Sequence, residues 1–245
     1  MNDDLDTRVG RFRATAAEEG LPPEYVERWI RAVRPAVYLA AGGDGPTAAV
    51  LGGEPLLPAD EPLAASVDLA ALPPGATGLP LPADGWLLLF GEPVIGGPRP
   101  PAAGAVRYVP AGATPFRRAG DDGAATLWAQ PCSPMDDSFA LDTWGEDADD
   151  EQCELADELA TAWASTGGHR PPWILQLGGH PASPQFDPVH DARDETGEPD
   201  WALLASYRPG EAAGAPDSAV IHWLIRPADL TARRFDRVRR YVDMA

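Results

Sequence analysis

Residues 173–188 have the sequence WILQLGGHPASPQFDP, in which a short apolar run stops at two glycines and a polar loop follows. The apolar run predicts one buried strand, because it is short and is bounded by prolines on one side and by glycines on the other. The glycines can adopt positive φ without a steric cost, so the chain can turn sharply there. His180 precedes a proline and is therefore biased toward extended geometry. We expect the loop to leave the strand in a fixed direction and to present Gln185 and Asp187.

A weaker copy of this segment, AAVLGGEPLLPADEP, occupies residues 48–62. Three pairs of matching segments follow one order along the chain: LGGEP at 51–55 with LGGHP at 177–181, GWLLLF at 85–90 with DWALLA at 200–205, and AV at 105–106 with AV at 219–220. Repeats of this kind indicate a duplicated structural unit. The matches predict two pseudo-repeated β halves.

Composition restricts the classes of function. A chain of 245 residues with 44% hydrophobic residues can bury a substantial core. The net charge of −19 would repel nucleic acid and anionic lipid, so neither is an expected partner. All 19 basic residues are arginines, which excludes a lysine Schiff base and a Walker-type phosphate site.

Localisation and redox chemistry follow from two further features. The segment MNDDLDTRVGRF at residues 1–12 is acidic and has no apolar core of a signal peptide, and no apolar stretch is long enough to span a bilayer. We expect a cytoplasmic protein. Cys132 and Cys153 lack CxxC spacing, so we expect free thiols, no disulfide framework and no thiolate metal site. No cofactor is expected.

The predicted fold is α+β, a sheet-rich single domain over residues 1–245 with N-terminal helices, a middle helix and a C-terminal helix. It comprises these four parts: a helical segment at 1–34, a first half at 35–118, an acidic loop and helix at 119–168, and a second half at 169–245.

Apolar periodicity predicts four helices, at residues 3–19, from Pro22 to Val33, within 147–165, and from Pro227 onward. In the last helix, Leu230, Phe235, Val238 and Tyr241 are expected to face the core.

Strands are predicted at 36–41, 48–51, 86–90, 106–109, 201–207 and 219–225. The proline-rich residues 55–82 predict a wandering connection with a turn or strand around 67–72. Residues 136–150 predict a long exposed loop, and residues 190–199 predict a charged loop.

Several segments together resemble the YwqG-like family of bacterial proteins, over roughly residues 35–240. They are RPA at 34–36, LGGEPLLP at 51–58, DLAALP at 68–73, GWLLLF at 85–90, LGGHP at 177–181 followed by Gln185 and Asp187, DWALLASY at 200–207, and WLIRPADLTARRF at 223–235. The chain departs from the family pattern twice: a tryptophan-proline segment is missing after the first LP, and the Gly-Asp-rich turn is reduced to Asp217. The resemblance implies a sheet-rich α+β fold in a soluble bacterial protein and carries no established activity.

One candidate site is a metal centre in the polar loop. His180, Asp187, His190 and Asp191 supply the donor atoms that a hard or borderline divalent metal prefers. Their spacing matches no known metal motif, and a solvated loop is the alternative.

A hydrolase is a second possibility, with Ser183 or Ser206 as the nucleophile and a histidine as the base. The chain contains no GxSxG elbow. We interpret His169 and His222 as structural, the first at the end of a helix and the second within a strand.

Binding is the leading hypothesis, because the sequence shows no complete catalytic constellation, no GxGxxG and no P-loop. We expect a non-enzymatic module that binds a small ligand through His180, Gln185 and Asp187, or a protein with a basic surface. Trp144 lies in the acidic segment DTWGED and could anchor such a partner, although packing onto its own domain is the alternative. The competing hypothesis is a metal-dependent or hydrolytic enzyme that uses His180, Asp187 and His190.

Overall fold

The computed structural model describes residues 5–41, 46–56, 59–92, 105–113, 116–117, 124–167, 173–183, 186–209 and 219–244. The helices in these ranges are α1 (Leu5–Glu19), α2 (Pro23–Ala32), α3 (Asp136–Trp144), α4 (Asp150–Ser165), α5 (Pro188–Thr196) and α6 (Pro227–Thr231). The strands are β1 (Arg34–Ala41), β2 (Thr47–Leu51), β3 (Glu54–Pro55), β4 (Leu63–Asp68), β5 (Trp86–Phe90), β6 (Val106–Val109), β7 (Phe116–Arg117), β8 (Ala124–Cys132), β9 (Leu175–Gly178), β10 (Ala202–Tyr207), β11 (Ala219–Ile225) and β12 (Arg239–Met244). The protein therefore has the predicted α+β, sheet-rich fold.

Helices α1 to α4 pack together through aromatic side chains. The rings of Phe12 and Trp163 meet edge to face at 5.3 Å, and those of Trp29 and Phe139 lie 4.8 Å apart. Helix α4 begins with a capping box in which Asp149 and Gln152 satisfy each other's backbone amides. None of the described helices is long and apolar enough to cross a membrane.

Ten strands form one antiparallel sheet with the order β12-β11-β10-β9-β1-β8-β2-β4-β5-β6, and β3 pairs separately with β7. The pair β1–β8 lies at the centre. The second-half strands, which are β9, β10, β11 and β12, lie on one side of this pair. The first-half strands, which are β2, β4, β5 and β6, lie on the other side. The two sets thus hold equivalent positions in the sheet order.

The register is also equivalent in the two sets. The pairing of β4 with β5 shifts between Leu63 and Ala65, and the pairing of β10 with β11 shifts between Leu203 and Ala205. Residues at equivalent positions, first-half strands first, are Val50 and Gln176, Ser66 and Ser206, and Leu88 and His222. Two of the predicted sequence matches are wrong. GWLLLF with DWALLA pairs β5 with β10, and AV at 105–106 with AV at 219–220 pairs β6 with β11, whereas β4 and β5 hold the positions equivalent to β10 and β11.

The main core lies on the inner face of this sheet, which curls until its two ends meet. The indole Nε1 of Trp223 on β11 donates to the carbonyl oxygen of Phe90 on β5 at 3.2 Å, and Arg240 on β12 pairs with Glu61. Inward side chains from both sets of strands fill the interior: Val37, Leu39, Leu87, Leu89, Leu175, Leu177, Ile221 and Ile225. The outer face is covered by other segments, among them α5, whose Val189 packs near Leu224.

Two predicted loops are helices. Residues 136–144 form α3, because Phe139 and Ala140 are buried against the other helices and the acidic residues of the first turn suit a helix N-terminus. Residues 188–196 form α5, which starts at an Asp187 cap and a proline and ends at Gly197 with φ of 70°. Both expectations of an irregular loop were wrong, since acidic composition masked the helical signals.

The predicted C-terminal helix is much shorter than expected. Helix α6 ends at Thr231, and Arg233 then adopts a left-handed φ of 55°. The chain continues through a short 3-10 turn at Phe235–Arg237 and forms β12 instead. The apolar residues are buried as predicted, but pairing along β11 decides the backbone conformation.

Strands β4 and β8 are the other corrections. The prolines of residues 55–82 argued against a central strand in this segment. Leu63–Asp68 nevertheless forms strand β4 between β2 and β5, and Pro62 directly precedes it. A 3-10 turn at Leu69–Ala71 follows, capped by Asp68. The segment Ala124–Cys132, expected to be irregular, forms the central strand β8. Prolines thus bound strand β4 rather than prevent it.

Candidate functional site

The glycine turn that follows β9 is confirmed and tightly packed. Gly178 and Gly179 have φ of 67° and 74°, and a Cβ on Gly178 would lie 2.4 Å from the carbonyl oxygen of Thr77. The side-chain amide of Gln176 donates from Nε2 to the carbonyl oxygens of Gly178 at 2.9 Å and His180 at 2.7 Å. Gln176 therefore fixes the direction in which the loop leaves the strand.

His180 is held against the end of α2. Its Nε2 lies 2.6 Å from the carbonyl oxygen of Ala32. Since a carbonyl can only accept, Nε2 carries the hydrogen. Burial lowers the pKa of His180 to about 4, and the positive charge of Arg34 adds to this effect. The ring is therefore neutral near pH 7.

Asp187 and His190 have separate structural partners. Asp187 Oδ1 accepts from the backbone amides of Val189 at 2.8 Å and His190 at 3.4 Å, so it caps α5. His190 Nε2 lies 3.1 Å from Asp142 Oδ1 on α3, and Arg193 Nη1 lies 3.0 Å from the same oxygen. The Asp142 carboxylate raises the pKa of His190, while His190 is the main cause that lowers the pKa of Asp142 to about 2.

These contacts bear on the predicted metal centre. His180, Asp187 and His190 each contact a different part of the protein. Among the residues that the structure describes, no group of three or more His, Cys, Asp and Glu side chains could hold a metal ion. Gln185 and His169, which the sequence also singled out, lie outside the described residues.

Trp144 packs onto its own domain. Its ring lies 5.1 Å from the ring of Tyr25 and 6.0 Å from that of Phe139. The side chain is only half-buried, so a contact with a partner stays a prediction.

A row of polar side chains crosses the outer face of the second-half strands. Gln176 on β9 lies directly opposite Ser206 on β10, which lies opposite His222 on β11. We call these three residues the polar row. Their exposed fractions are 1%, 0% and 0%, respectively. The Ser206 Oγ lies 2.8 Å from the His222 Nδ1.

The imidazole of this pair is neutral. Burial lowers the pKa of His222 to about 3, with a further contribution from the charge of Arg208. Two arrangements of the hydrogens satisfy the contact between Ser206 Oγ and His222 Nδ1. Either the hydroxyl donates to Nδ1 and the ring hydrogen is on Nε2, or Nδ1 carries the hydrogen and donates to the hydroxyl oxygen.

Two atoms of the polar row are left over. Within the described part of the chain, neither Gln176 Oε1 nor His222 Nε2 has a hydrogen-bond partner. A buried polar atom without a partner costs about 1–3 kcal/mol. At the equivalent positions the first-half strands carry Val50 and Leu88, which have no polar side-chain atoms. The first-half strands thus pair without polar side chains at these two positions.

Residues 183 and 186 lie on either side of an undescribed stretch of the loop after β9, and both contact strand β12. Ser183 Oγ hydrogen-bonds to the carboxylate of Asp243 on β12, and the ring of Phe186 lies 6.5 Å from that of Tyr241. Of the two proposed nucleophiles, Ser206 contacts a histidine and Ser183 contacts an aspartate.

Sequence reasoning treated His222 as structural and did not single out Gln176. A sequence signal exists for Gln176: LAAS at 63–66 matches LLAS at 203–206, and LGG at 51–53 matches LGG at 177–179. This alignment places Val50 against Gln176. An apolar residue in one copy and a polar residue in the other marks the position as unusual.

The comparisons with known proteins add a family assignment. The family model described as a domain of unknown function, DUF1963, matches residues 50–243. The search of curated proteins gave no match to the chain.

Proposed function

We propose that this chain, which belongs to the family of the domain of unknown function DUF1963, is a non-enzymatic module that binds a small molecule. The ligand would contact the polar row on the outer face of the second-half strands. This part of the chain lies within the residues that match the family model.

The observation that carries the proposal is the pair of buried polar atoms, Gln176 Oε1 and His222 Nε2, that have no partner among the described residues. Buried polar groups in folded proteins are almost always hydrogen-bonded to protein, water or ligand. A ligand that bonds to both atoms would remove a penalty of about 1–3 kcal/mol for each. Binding energy would thus be available without any rearrangement of the sheet.

The neighbouring residues support a ligand role over a structural one. A structural hydrogen-bond network satisfies its own members, as Gln176 Nε2 does with the carbonyl oxygens of Gly178 and His180. The other ends of the same row are unsatisfied.

The test is thermal unfolding of the purified chain against a panel of small polar metabolites. A ligand that binds the native state raises the apparent stability by mass action. We expect at least one compound to raise the Tm of the wild type and to have no effect on His222→Leu, which carries the residue found at the equivalent position in the first half. The matched control is Ser66→Ala, which alters the first-half strands and should keep the response. An equal response in His222→Leu, or no response in the wild type, would contradict the proposal.

A hydrolytic enzyme is the second candidate, and the contact of Ser206 Oγ with His222 Nδ1 at 2.8 Å favours it. Within the described residues no carboxylate bonds to the other ring nitrogen of His222, however, so the third member of a triad has no candidate there. Turnover of ester or amide substrates that is lost in Ser206→Ala would support this candidate.

The metal-dependent version of the enzyme, with His180, Asp187 and His190, is tested separately. Metal analysis of the purified protein and stabilisation by added divalent ions should both be positive if that site exists. Stabilisation that survives in Asp187→Ala would argue against it.

We also propose three broader properties of the protein. The first is a relationship to the YwqG-like family, supported by the motifs LGGHP and WLIRPADLTARRF. A bacterial, cytoplasmic setting is supported by that resemblance and by the two free cysteines. A protein partner with a basic surface is supported by the net charge of −19, and Trp144 is its proposed contact.

A further inference from the structure

We infer that the loop between α6 and β12 is a docking surface for an acidic segment of a partner protein. This loop, residues 232–238, carries Arg233, Arg234 and Arg237 at the surface, and we call it the arginine loop. It lies in a different part of the chain from the polar row. The docking surface therefore does not depend on the proposed binding of a small molecule.

Arginines are concentrated near the C-terminal end of a protein whose net charge is −19. Six of the 19 arginines lie within residues 226–240. Half of these six bind carboxylates of other segments: Arg226 binds Glu198, Arg239 binds Glu195, and Arg240 binds Glu61. The other half are the exposed arginines of the arginine loop. The local charge of this loop is thus opposite in sign to that of the protein.

The charge of the arginine loop is largely uncompensated within the described part of the chain. Arg234 Nη2 lies 3.7 Å from Asp236 Oδ2, and the two side chains are 46% and 66% exposed. An exposed ion pair of this length contributes little. Neither Arg233 nor Arg237 forms an ion pair with another described residue. These guanidinium groups are available to an external anion.

Buried anchors hold the arginine loop in one conformation. Phe235 and Val238 are buried, and the ring of Phe235 stacks on that of Tyr108 on β6 at 6.1 Å. The backbone amide of Arg234 donates to the carbonyl oxygen of Asp229 at 2.8 Å. Because the backbone is fixed in advance, a partner that binds the loop does not incur the entropic cost of ordering it.

Arg233 occupies a backbone conformation that favours glycine. Its φ is 55°, and among the described residues it alone combines a side chain with positive φ. Helices commonly end on a left-handed glycine at this position, just after the last turn. The conformation has a cost for an arginine, which the cation–π contact with Tyr108, at 4.9 Å, offsets only in part. The backbone therefore does not account for an arginine here.

Carboxylates of a protein segment suit this surface. The planar guanidinium group binds a carboxylate through two parallel hydrogen bonds, and arginine clusters are a recurrent means of recognising acidic segments. Nucleic acid suits it less well. The rings beside the loop, Tyr108 and Phe235, are engaged with each other rather than presented to a base. A long polyanion would also be repelled by a protein of net charge −19.

Ionic strength decides whether the local attraction is observed. At about 0.01 M the Debye length is about 30 Å, so an acidic peptide is repelled by the whole protein. At about 0.15 M the Debye length is about 8 Å, which screens distant acidic residues and preserves direct contacts with the arginine loop. At about 1 M it is about 3 Å, which weakens the exposed contacts too. The affinity should therefore be greatest at an intermediate ionic strength.

The test is an NMR titration of the ¹⁵N-labelled full chain at about 0.15 M ionic strength, followed through the Nε–Hε signals of its arginines. The probes are a hexaglutamate peptide blocked at both ends, the corresponding hexaglutamine peptide and a single-stranded hexauridylate. We expect hexaglutamate to bind more tightly than the other two. It should shift the signals of Arg233, Arg234 and Arg237, and leave that of Arg31, an exposed arginine of α2, unchanged.

The variants test each arginine against a matched control. Arg234→Gln and Arg237→Gln should each weaken hexaglutamate binding roughly two- to fivefold, the factor that corresponds to an exposed ion pair. Combining both with Arg233→Gln should weaken it roughly tenfold or more. Arg31→Gln removes the same charge from α2 and should leave the affinity within roughly twofold.

Arg233→Gly separates binding from folding. This substitution removes one charge and relieves the left-handed strain, so it should weaken hexaglutamate binding while the Tm stays equal or rises. A fall in Tm together with unchanged binding would assign Arg233 to the fold.

Four results would overturn the docking surface. They are no response of the wild type to hexaglutamate, tighter binding of hexauridylate or hexaglutamine, shifts that are as large at Arg31 as in the arginine loop, and unchanged affinity of the triple variant. The proposed binding of a small molecule at the polar row is unaffected by any of these results, since its test uses His222→Leu.

Discussion

Ser206 and His222 lie directly opposite each other on β10 and β11, and the Ser206 Oγ lies 2.8 Å from the His222 Nδ1. At the equivalent position in the first half, Ser66 lies opposite Leu88. Within the described residues the Ser66 hydroxyl has no partner. The two equivalent serines thus differ in their neighbours, which is a polar side chain for Ser206 and an apolar one for Ser66. This difference permits matched experiments within one chain.

The first prediction compares the two serines. Ser206→Ala removes the hydrogen-bond partner of His222 Nδ1 and should destabilise the protein by about 1–3 kcal/mol, because a buried nitrogen loses its partner. Ser66→Ala removes a buried hydroxyl that has no partner, so it should be neutral or stabilising. Chemical denaturation of both variants measures the difference. Equal costs would contradict the assignment of hydrogen bonds.

The second prediction concerns acid stability. In the folded protein the pKa values of His222 and His180 are lowered to about 3 and about 4, from the ordinary histidine value of 6.5. Below pH 6.5 the unfolded chain therefore binds more protons at these two residues than the folded protein does. The stability that each neutral ring contributes is present above pH 6.5 and is lost as the pH falls toward these values. Each ring contributes a slope of up to about 1.4 kcal/mol per pH unit.

In His222→Leu, the slope between pH 6.5 and 4.5 should therefore fall by about half, whatever the stability of the variant at neutral pH. Denaturant unfolding at several pH values measures the slope. An unchanged slope would show that His222 is not buried in the neutral form.

The third prediction has the opposite sign. The pKa of His190 is raised by Asp142, so this contribution to stability is fully present below pH 6.5 and is lost as the pH rises through the raised value. Asp142→Asn should cost more at pH 6 than at pH 9, by no more than about 1 kcal/mol because Asp142 is half exposed.

The control for this pair is His190→Gln. In that background Asp142→Asn should have the same cost at both pH values, and that residual cost should reflect the contact with Arg193. A pH dependence that persists without His190 would assign the effect to another group.

The fourth prediction compares two equivalent glycines. Gly52 and Gly178 have φ of 65° and 67°, but a Cβ on Gly52 would meet nothing within 4 Å, whereas one on Gly178 would meet Thr77. Gly52→Ala should cost about 1–2 kcal/mol from backbone strain. Gly178→Ala should cost a further 1–3 kcal/mol, roughly, because the Cβ overlaps a backbone carbonyl. Similar losses of stability for the two variants would show that Thr77 can move away.

The strands at 86–90 and 219–225 could be predicted because each is a compact apolar run with turn residues before it. Helix α4 could be predicted because its cap, acidic first turn and buried face agree. In these segments local preference and tertiary packing favour the same structure.

Segments decided by tertiary contacts could not be predicted in this way. The residues of β12 have apolar spacing that also suits a helix, and only the length of the pairing with β11 selects a strand. Strand β8 was missed because its partners, β1 and β2, lie far away in sequence.

The candidate site shows the same limit. His180 and Asp187 attracted attention as polar residues in a loop, but their side chains contact the end of α2 and the start of α5. Gln176 and His222 lie inside apolar strands, and the sequence gives no local sign that they are neighbours of Ser206. Their relation depends on a register across three strands.

The most direct test of the central claim is a high-resolution crystal structure of the protein, grown with the compound of the panel that raises its Tm, that resolves the surroundings of Gln176 Oε1 and His222 Nε2. We predict density for that compound within about 3.2 Å of at least one of these atoms. A dry row with the side chains packed together would contradict the account. So would ordered water as the sole occupant.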